Sequence, residues 1–309
     1  MKIYFLSVST FSDNQFDLLR ALAPDADITY GVIFPHVRAN FTPGEVSQAL
    51  AGSGVKMIPF TLRHRFRDPR VIRTYIEIIR SIKKVNPDVI YFTNFDQLYI
   101  NLLMLMVDKR KTIIAFHDVQ NHSNTRFDYL TNIGKKVLLK NFQQFHTFSK
   151  LQEEILLNGY PAKTVFTIPL VLINFGRKPD VIPARAKTVF LFFGNILSYK
   201  GLDILLKAVT RLSHSTKNFT LVIAGRSEEW DQLYEPLIGD QSVVEKMIRF
   251  IHIDEIPVLF SNADYLVLPY RDTTQSGPLM IAYNYNLPVI TSNAPGFHEF
   301  VKPGITGYM

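Results

Sequence analysis

One local pattern recurs along the chain: a short run of apolar, β-branched or aromatic residues without polar alternation, then a turn, then a segment of helical periodicity. The runs in the first half are KIYFLSV (2–8), DITYGVIF (27–34), VKMIPF (55–60), DVIYF (88–92), TIIAF (112–116) and FHTFS (145–149). Helical patterns fall at 14–22, 69–85, 97–107, 128–141 and 150–157. Strands that do not alternate are buried on both faces, and helical connections between them imply a parallel sheet covered on both sides. The rhythm stops in TVFTIPLVLINFGRKPDVIPARAKT (164–188), which is rich in Pro and in basic residues, and then starts again. The second set of strands is TVFLFFG (188–194), FTLVIAG (219–225), IRFIHI (248–253), YLVLPY (265–270) and PVITS (288–292), with helices at 201–212, 228–237, 255–263, 277–286 and 296–301. The reading is two doubly wound α/β domains, 1–170 and 171–309, joined by a linker. Ligands of such domains bind beyond the carboxyl ends of the strands.

Composition narrows the chemistry. With no cysteine in 309 residues, disulfides, thiolate zinc sites and cysteine nucleophiles are excluded. The opening MKIYFLSV reads as a first buried strand rather than a leader, and LLMLMV (102–107), bounded by Asn101 and Asp108, is too short to span a bilayer. The net charge of +7 lies entirely in the first half: residues 1–170 hold 21 basic against 14 acidic residues, residues 171–309 hold 13 of each. Residues 63–84 concentrate it, with eight Lys or Arg against two acids on a helical pattern of Val71, Ile72, Tyr75, Ile76, Ile79 and Ile82. Such a segment is a solvated helix face or a contact for an anionic membrane surface; no nucleic-acid module accompanies it.

TVFLFFGNILSYKGLDILLKAV (188–209) places a lysine where a strand ends and a helix opens. Gly194 and Gly201 allow close backbone approach, Lys200 adds a full positive charge, and a helix opening offers free N–H groups, so the segment suits an anion. The spacing is not that of a P-loop. The plain alternative is a lysine that merely closes a βα loop. YLVLPYRDTTQSGPLMIAYNYNLPVI repeats the device, with Ser276 and Gly277 at the helix opening. Two openings and one lysine could converge on a diphosphate, each charge-assisted hydrogen bond contributing about 1.5–3 kcal/mol.

FFGNILSYKGLDILLKA, SNADYLVLPYRDTTQSGPLMIAYNYNLPVI and PGFHEFVKPGITGY, in that order, resemble the retaining glycosyltransferases of family 4. TIIAFHDVQNH and FHTFSKLQEEILLNGYPAKTVFTIP extend the likeness into the first half. The resemblance implies the GT-B fold, two Rossmann-like domains facing a cleft, with a nucleotide-diphosphate-sugar held by the second domain and an acceptor hydroxyl, on a sugar or lipid-linked oligosaccharide, by the first. It implies that Lys200 contacts the donor diphosphate, that His117 lies near the donor sugar with Asp118 beside it, and that Gln275, Ser276 and Gly277 line phosphate and sugar. Gly194, Asn195, Arg226 and Thr273 complete the implied donor site.

Three departures stand out. Asn195 occupies a position where the family often has Arg, leaving Arg226 or Arg271 to compensate. The family's paired glutamates fall on Thr273 and Ile281. Further helices normally follow the point where this chain reads GITGYM. The expected reaction is transfer with retention, by front-side attack, with Lys200 and helix openings stabilising the diphosphate and no metal or other cofactor. The expected place is cytoplasmic, peripheral on the membrane, in polysaccharide or glycolipid synthesis. A non-catalytic binding subunit and a sugar-nucleotide epimerase or hydrolase are the alternatives. Asp25 and Asp27 read as a surface turn, His122, His252 and His298 as ordinary histidines, and Tyr283, Tyr285 and Trp230 as packing residues.

Overall fold

The computed structural model of the protein describes residues 1–37, 40–119, 128–180 and 186–309. It divides into two compact units, Met1–Val171 and Leu172–Met309.

The first unit is a seven-stranded parallel sheet: β1 (Lys2–Val8), β2 (Asp27–Phe34), β3 (Lys56–Thr61), β4 (Val89–Thr93), β5 (Thr112–Phe116), β6 (Gln144–Thr147) and β7 (Thr164–Thr167). Its order is β3-β2-β1-β4-β5-β6-β7. The connections run outward from β1 to β3 and then restart at β4, so the strand order reverses between β1 and β4, where a ligand crevice is expected. Pro59 is tolerated in β3 because that strand is at the edge of the sheet.

The helices of this unit are α1 (Phe16–Leu22), α2 (Pro43–Ala49), α3 (Ile72–Val85), α4 (Leu98–Leu103), α5 (Asp128–Asn141) and α6 (Lys150–Gly159). α3 buries Tyr75, Ile78, Ile79 and Ile82 and turns Arg73, Arg80, Lys83 and Lys84 to solvent. Each buried apolar side chain there stabilises by roughly 1.5–3 kcal/mol. Asn86 ends the helix in the left-handed conformation. α2 was not expected from periodicity, yet Thr42 and Glu45 form a reciprocal capping box and Pro43 fills the first turn. The stretch expected to be linker from residue 164 begins instead as β7, which pairs with β6 from Gln144↔Thr164 to Thr147↔Thr167.

The second unit carries β8 (Thr188–Phe193), β9 (Phe219–Ala224), β10 (Val244–Met247), β11 (Tyr265–Leu268), β12 (Val289–Thr291) and β13 (Gly307–Tyr308) in the order β10-β9-β8-β11-β12-β13. Its helices are α7 (Leu202–Ser213), α8 (Ile256–Ser261) and α9 (Gly277–Asn284). Here the order reverses between β8 and β11. The strand expected at 248–253 is not formed; Val244–Met247 takes its place beside β9. The Arg249 N–H bonds back to Met247 O, turning the chain out of the sheet, and the Arg249 guanidinium is held by Glu255 at 2.6 Å.

At the carboxyl end of this sheet, two backbones touch where no side chain fits. A Cβ on Gly225, whose φ is +156°, would lie 1.9 Å from the carbonyl oxygen of Gly194. Gly225→Ala must push β8 and β9 apart and should cost about 2–4 kcal/mol. Thermal unfolding reads this as a clear drop in Tm, and an unchanged Tm would refute the close packing.

Candidate active site

Lys200 closes the turn Ser198–Lys200 between β8 and α7. Its side chain is buried, the residue being only 7% exposed, and Nζ lies 5.6 Å from the centre of the Tyr270 ring. Among the described residues Nζ has no hydrogen-bond or ion-pair partner. The aromatic face supplies partial compensation through a cation–π contact. Burial alone pulls the amine down to about 8.

The surroundings keep one side of that amine open. Gly194 follows β8 with φ +101°, and a Cβ there would sit 3.1 Å from Lys200 Nζ and 3.7 Å from Cγ of Pro278 in the first turn of α9. Gly194 is therefore the bare backbone between the lysine and the second helix opening. Gly201, with φ +67°, has no room for a side chain either: a Cβ would meet Pro269 O at 2.0 Å. This approach presses the lysine turn against the loop that follows β11, at the point where strand order reverses.

The helix openings are less generous than expected. At α9, Ser276 is the N-cap and accepts from Leu279 N–H at 3.4 Å, while Pro278 has no N–H to offer. Gly277 N–H is left without an acceptor among the described residues. At α7, Gly201 N–H donates to Ser198 O, and the first turn already carries the carboxylate of Asp203. Asp203 is bound by Arg271 at 2.6 Å, which holds its carboxyl below the usual range.

Arg271 also donates to Ser198 O, so it braces the lysine turn. Thr273 is buried and donates to Gln275 O at 2.8 Å; its own carbonyl accepts from Gly296 N–H, and Gly296 has no space for a Cβ. Its hydroxyl shapes the loop. Gln275 is half-buried beside it. Ile281 is buried in α9. Asn195 is exposed, and Arg226 is half-buried with its guanidinium unpaired among the described residues.

In the first unit, His117 stands just past β5. Its ring is stacked between Phe11 at 4.2 Å and Phe148 at 4.6 Å. Burial pushes its pKa down to about 4, with nearby His146 acting in the same direction and Asp118 opposing. The imidazole is thus neutral at pH 7 and suited to accept or donate one hydrogen bond. The turn it belongs to is held from two helices: Lys135 Nζ donates to Asp118 O at 2.6 Å, and Gln152 Oε1 accepts from Val119 N–H at 2.6 Å. His117, His146 and Phe148 also line an apolar cavity of roughly 420 Å³ along one face of the sheet. Asp13, just past β1, is raised by burial to about 6 and was not singled out in the sequence.

The remaining side chains have structural roles. Asp25 and Asp27 are exposed at the amino edge of the first sheet, away from the strand ends that bear the site. Trp230 Nε1 donates to Glu235, Tyr283 OH to Phe300 O and Tyr285 OH to Gly176 O. His298 pairs with Asn293, His252 caps a short turn, and His122 lies outside the described residues. No cluster of three metal-ligating side chains occurs among the described residues.

Comparison with known proteins bears on this geometry. Residues 187–309 match the family Glycosyl transferases group 1. An uncharacterized glycosyltransferase of Haemophilus influenzae is 21% identical over 290 residues, covering 91% of this chain and 77% of that protein. The O-antigen chain mannosyltransferase RfbU of Salmonella typhimurium is 28% identical over 138 residues, 43% of this chain and 38% of that protein. Among solved structures, sucrose-phosphate synthase from Thermosynechococcus elongatus superposes with a TM-score of 0.73 at 16% identity, over 100% of this chain and 85% of that one. UDP-GlcNAc 2-epimerase from Neisseria meningitidis, bound to UDP-GlcNAc, gives 0.60 at 11% identity, over 94% and 82%.

Two titrations test the electrostatics. Lys200 has a folded pKa below its unfolded value, so at pH 7 its charge opposes folding; Lys200→Met should raise stability by about 1–3 kcal/mol at that pH. The gain should shrink as pH rises from about 8 toward the unfolded lysine value, as seen in Tm against pH. His117 is also depressed, so its neutral form favours the fold and that contribution fades as pH falls from about 6.5 to about 4. Asp13, raised, acts in the opposite sense and is common to both proteins. His117→Gln should therefore show a shallower acid loss than the parent, and parallel curves would reject the buried neutral histidine.

Proposed function

We propose that this chain, which has the GT-B fold, is a glycosyltransferase that moves a sugar from a nucleotide-diphosphate-sugar, bound by the second unit, to an acceptor hydroxyl bound by the first, a reading that the family match and the glycosyltransferase relatives support. The observation that carries this reading is the Lys200 ammonium, buried without a carboxylate and facing the bare backbone of Gly194. A charge kept at that cost is complementary to an anion that arrives with the substrate.

In the reaction, the bond between the anomeric carbon and the diphosphate oxygen breaks as the acceptor oxygen adds on the same face, and the acceptor's hydroxyl proton passes to the departing diphosphate. Negative charge collects on the departing diphosphate. Lys200 and the Gly277 N–H stabilise it, with the Ser276 hydroxyl and Arg226 close at hand in the sequence of loops. We assign that role to protein cations and dipoles, so that no metal ion is required and a chelator leaves the rate unchanged. His117, neutral and clamped by two rings, orients the sugar or acceptor. Retention by front-side attack, membership of family 4 and a variant site without the paired glutamates belong to the same proposal. Thr273 and Ile281 are both buried, so the ribose hydroxyls must be met by other groups.

The named relative RfbU acts on O-antigen chains, which supports a place in cell-surface polysaccharide or glycolipid synthesis. We place the enzyme in the cytoplasm at the membrane, with a lipid-linked oligosaccharide as acceptor. The exposed Arg73, Arg80, Lys83 and Lys84 of α3 suit an anionic leaflet, each basic residue contributing about 1 kcal/mol. No helix of the described residues is long and apolar enough to cross a membrane.

Thermal-shift screening against UDP-, GDP-, TDP- and CDP-sugars should identify a donor, and transfer assays with that donor should run equally well with and without EDTA. Lys200→Ala should slow transfer roughly 30- to 150-fold, the loss of about 2–3 kcal/mol of transition-state stabilisation. Unchanged turnover would remove Lys200 from the mechanism. Conversion of the donor sugar without any acceptor would favour an epimerase or hydrolase instead. Reversing the α3 charges should release the protein from vesicles containing phosphatidylglycerol; retention would argue for a soluble acceptor.

A further inference from the structure

We infer that Asp96, with the small cavity it lines, is a binding subsite for the hydroxyl groups of a carbohydrate acceptor; the inference rests on the transferase reading above. Asp96 is the third residue beyond β4, at the carboxyl edge next to the point where the first sheet reverses its strand order. Its φ is +60°, a left-handed conformation that costs a non-glycine residue about 1 kcal/mol or more. The buried Asn94 holds it there: Asn94 Nδ2 donates to Asp96 Oδ1 at 2.7 Å, Asp96 N–H donates to Asn94 Oδ1 at 3.2 Å, and Asn94 N–H is tied to Ala115 O of β5 at 2.9 Å.

Behind the carboxylate stands Lys135 of α5, its side chain only 3% exposed, with Nζ 3.4 Å from Asp96 Oδ2. In front the carboxylate is open, its side chain 38% exposed. An ionised carboxylate has about four acceptor positions, and Asn94 and Lys135 occupy two of them. Asp96 lines a cavity of roughly 60 Å³, together with Phe66, Arg67, Gln97, Tyr99 and Thr131. That space admits a few water-sized groups, so it fits the hydroxyls along one edge of a sugar but not a whole ring.

The lining has the chemistry of hydroxyl recognition. A carboxylate accepts from O–H donors, and a guanidinium and an amide can donate to the same hydroxyl oxygens; Gln97 Nε2 also bonds Phe95 O at 3.4 Å, and Phe66, Tyr99, Leu98 and Leu130 give the lining an apolar part. A carboxylate and a guanidinium in one small cavity disfavour a simple anion and a simple cation alike. The subsite also shares its framework with His117, because Lys135 holds both Asp96 and the Asp118 carbonyl. Occupancy at Asp96 would therefore bear on the turn that positions the histidine.

Saturation-transfer difference NMR on the full chain tests this with methyl α-mannopyranoside and methyl β-galactopyranoside as probes, and tetrahydropyran-2-methanol as a control lacking ring hydroxyls. Saturation should reach the ring protons of at least one glycoside and not the control. Asp96→Asn keeps the shape and tolerates the left-handed backbone; it should weaken that binding about tenfold while nucleotide-sugar binding and the folded circular-dichroism spectrum persist, with Tm lowered because Lys135 loses its carboxylate. Lys135→Met should weaken it as well. Equal glycoside binding in the parent and in Asp96→Asn, or none in the parent at millimolar concentration, overturns the inference. Glycoside binding that depends on Asp96 in a protein that binds no nucleotide sugar would sustain the subsite and sink the donor reading, so the two failures are distinguishable.

Discussion

A lysine ammonium removed from water without a carboxylate beside it is the interaction around which the second unit is arranged. Desolvation works against the charge, and the Tyr270 face offsets only part of that cost. Such a group persists where the surrounding fold holds it in place. Here the hold comes from main chain: Gly201 against Pro269 O and Gly225 against Gly194 O, approaches that any side chain would prevent. Arg271 adds a brace, tying the lysine turn to the loop beyond β11 and to Asp203. The result is a rigid cation with one open side, which is the form of electrostatic preorganisation that stabilises charge developing on a leaving group.

The first unit solves a different problem with different means. Its histidine is kept neutral by burial between aromatic rings, and beside the Asp96–Lys135 pair its strand ends carry a network of buried hydroxyls and amides. Gln15 bonds Ser7 and Thr93, and Tyr30 bonds Gln15 and Ser12. This network fixes the segment after β1, from which Phe11 reaches His117. Lys135 and Gln152 fix the following turn from the other side. On the proposed reading, the neutral imidazole and the carboxylate in a separate small cavity serve recognition of hydroxyl groups, and the second unit serves recognition of phosphate.

Much of the fold was legible because its strands are unalternated and its helices amphipathic; the pattern is local, and burial on both faces leaves a direct mark on composition. α2 was legible in principle, through Thr42 and Glu45, but seven residues give too little periodicity to notice. The segment 248–253 is as apolar as a strand yet forms none, because the neighbouring Val244–Met247 had already taken the position beside β9 and Arg249 turned toward Glu255. Pairing is a competition between neighbours, and apolar content does not decide its register. At the site, Lys200, Gly194 and Gly277 could be picked out from their order along the chain. Thr273 and Arg271 could not be assigned, since a polar loop residue reads the same whether it meets a ligand or its own backbone.

The sequence by itself determined two doubly wound α/β units, the location of the excess basic charge, the absence of thiol chemistry and the pairing of a lysine with a glycine-flanked helix opening. Those are properties of residue type and spacing, which the chain carries before it folds. Only the tertiary structure decided that the lysine is buried and unpaired, that the α7 opening is filled by Asp203, that His117 is neutral between two rings and that Asp96 is held left-handed before a buried lysine. Each of these depends on which groups meet across distant parts of the chain, and desolvation and hydrogen bonding are set by those meetings alone.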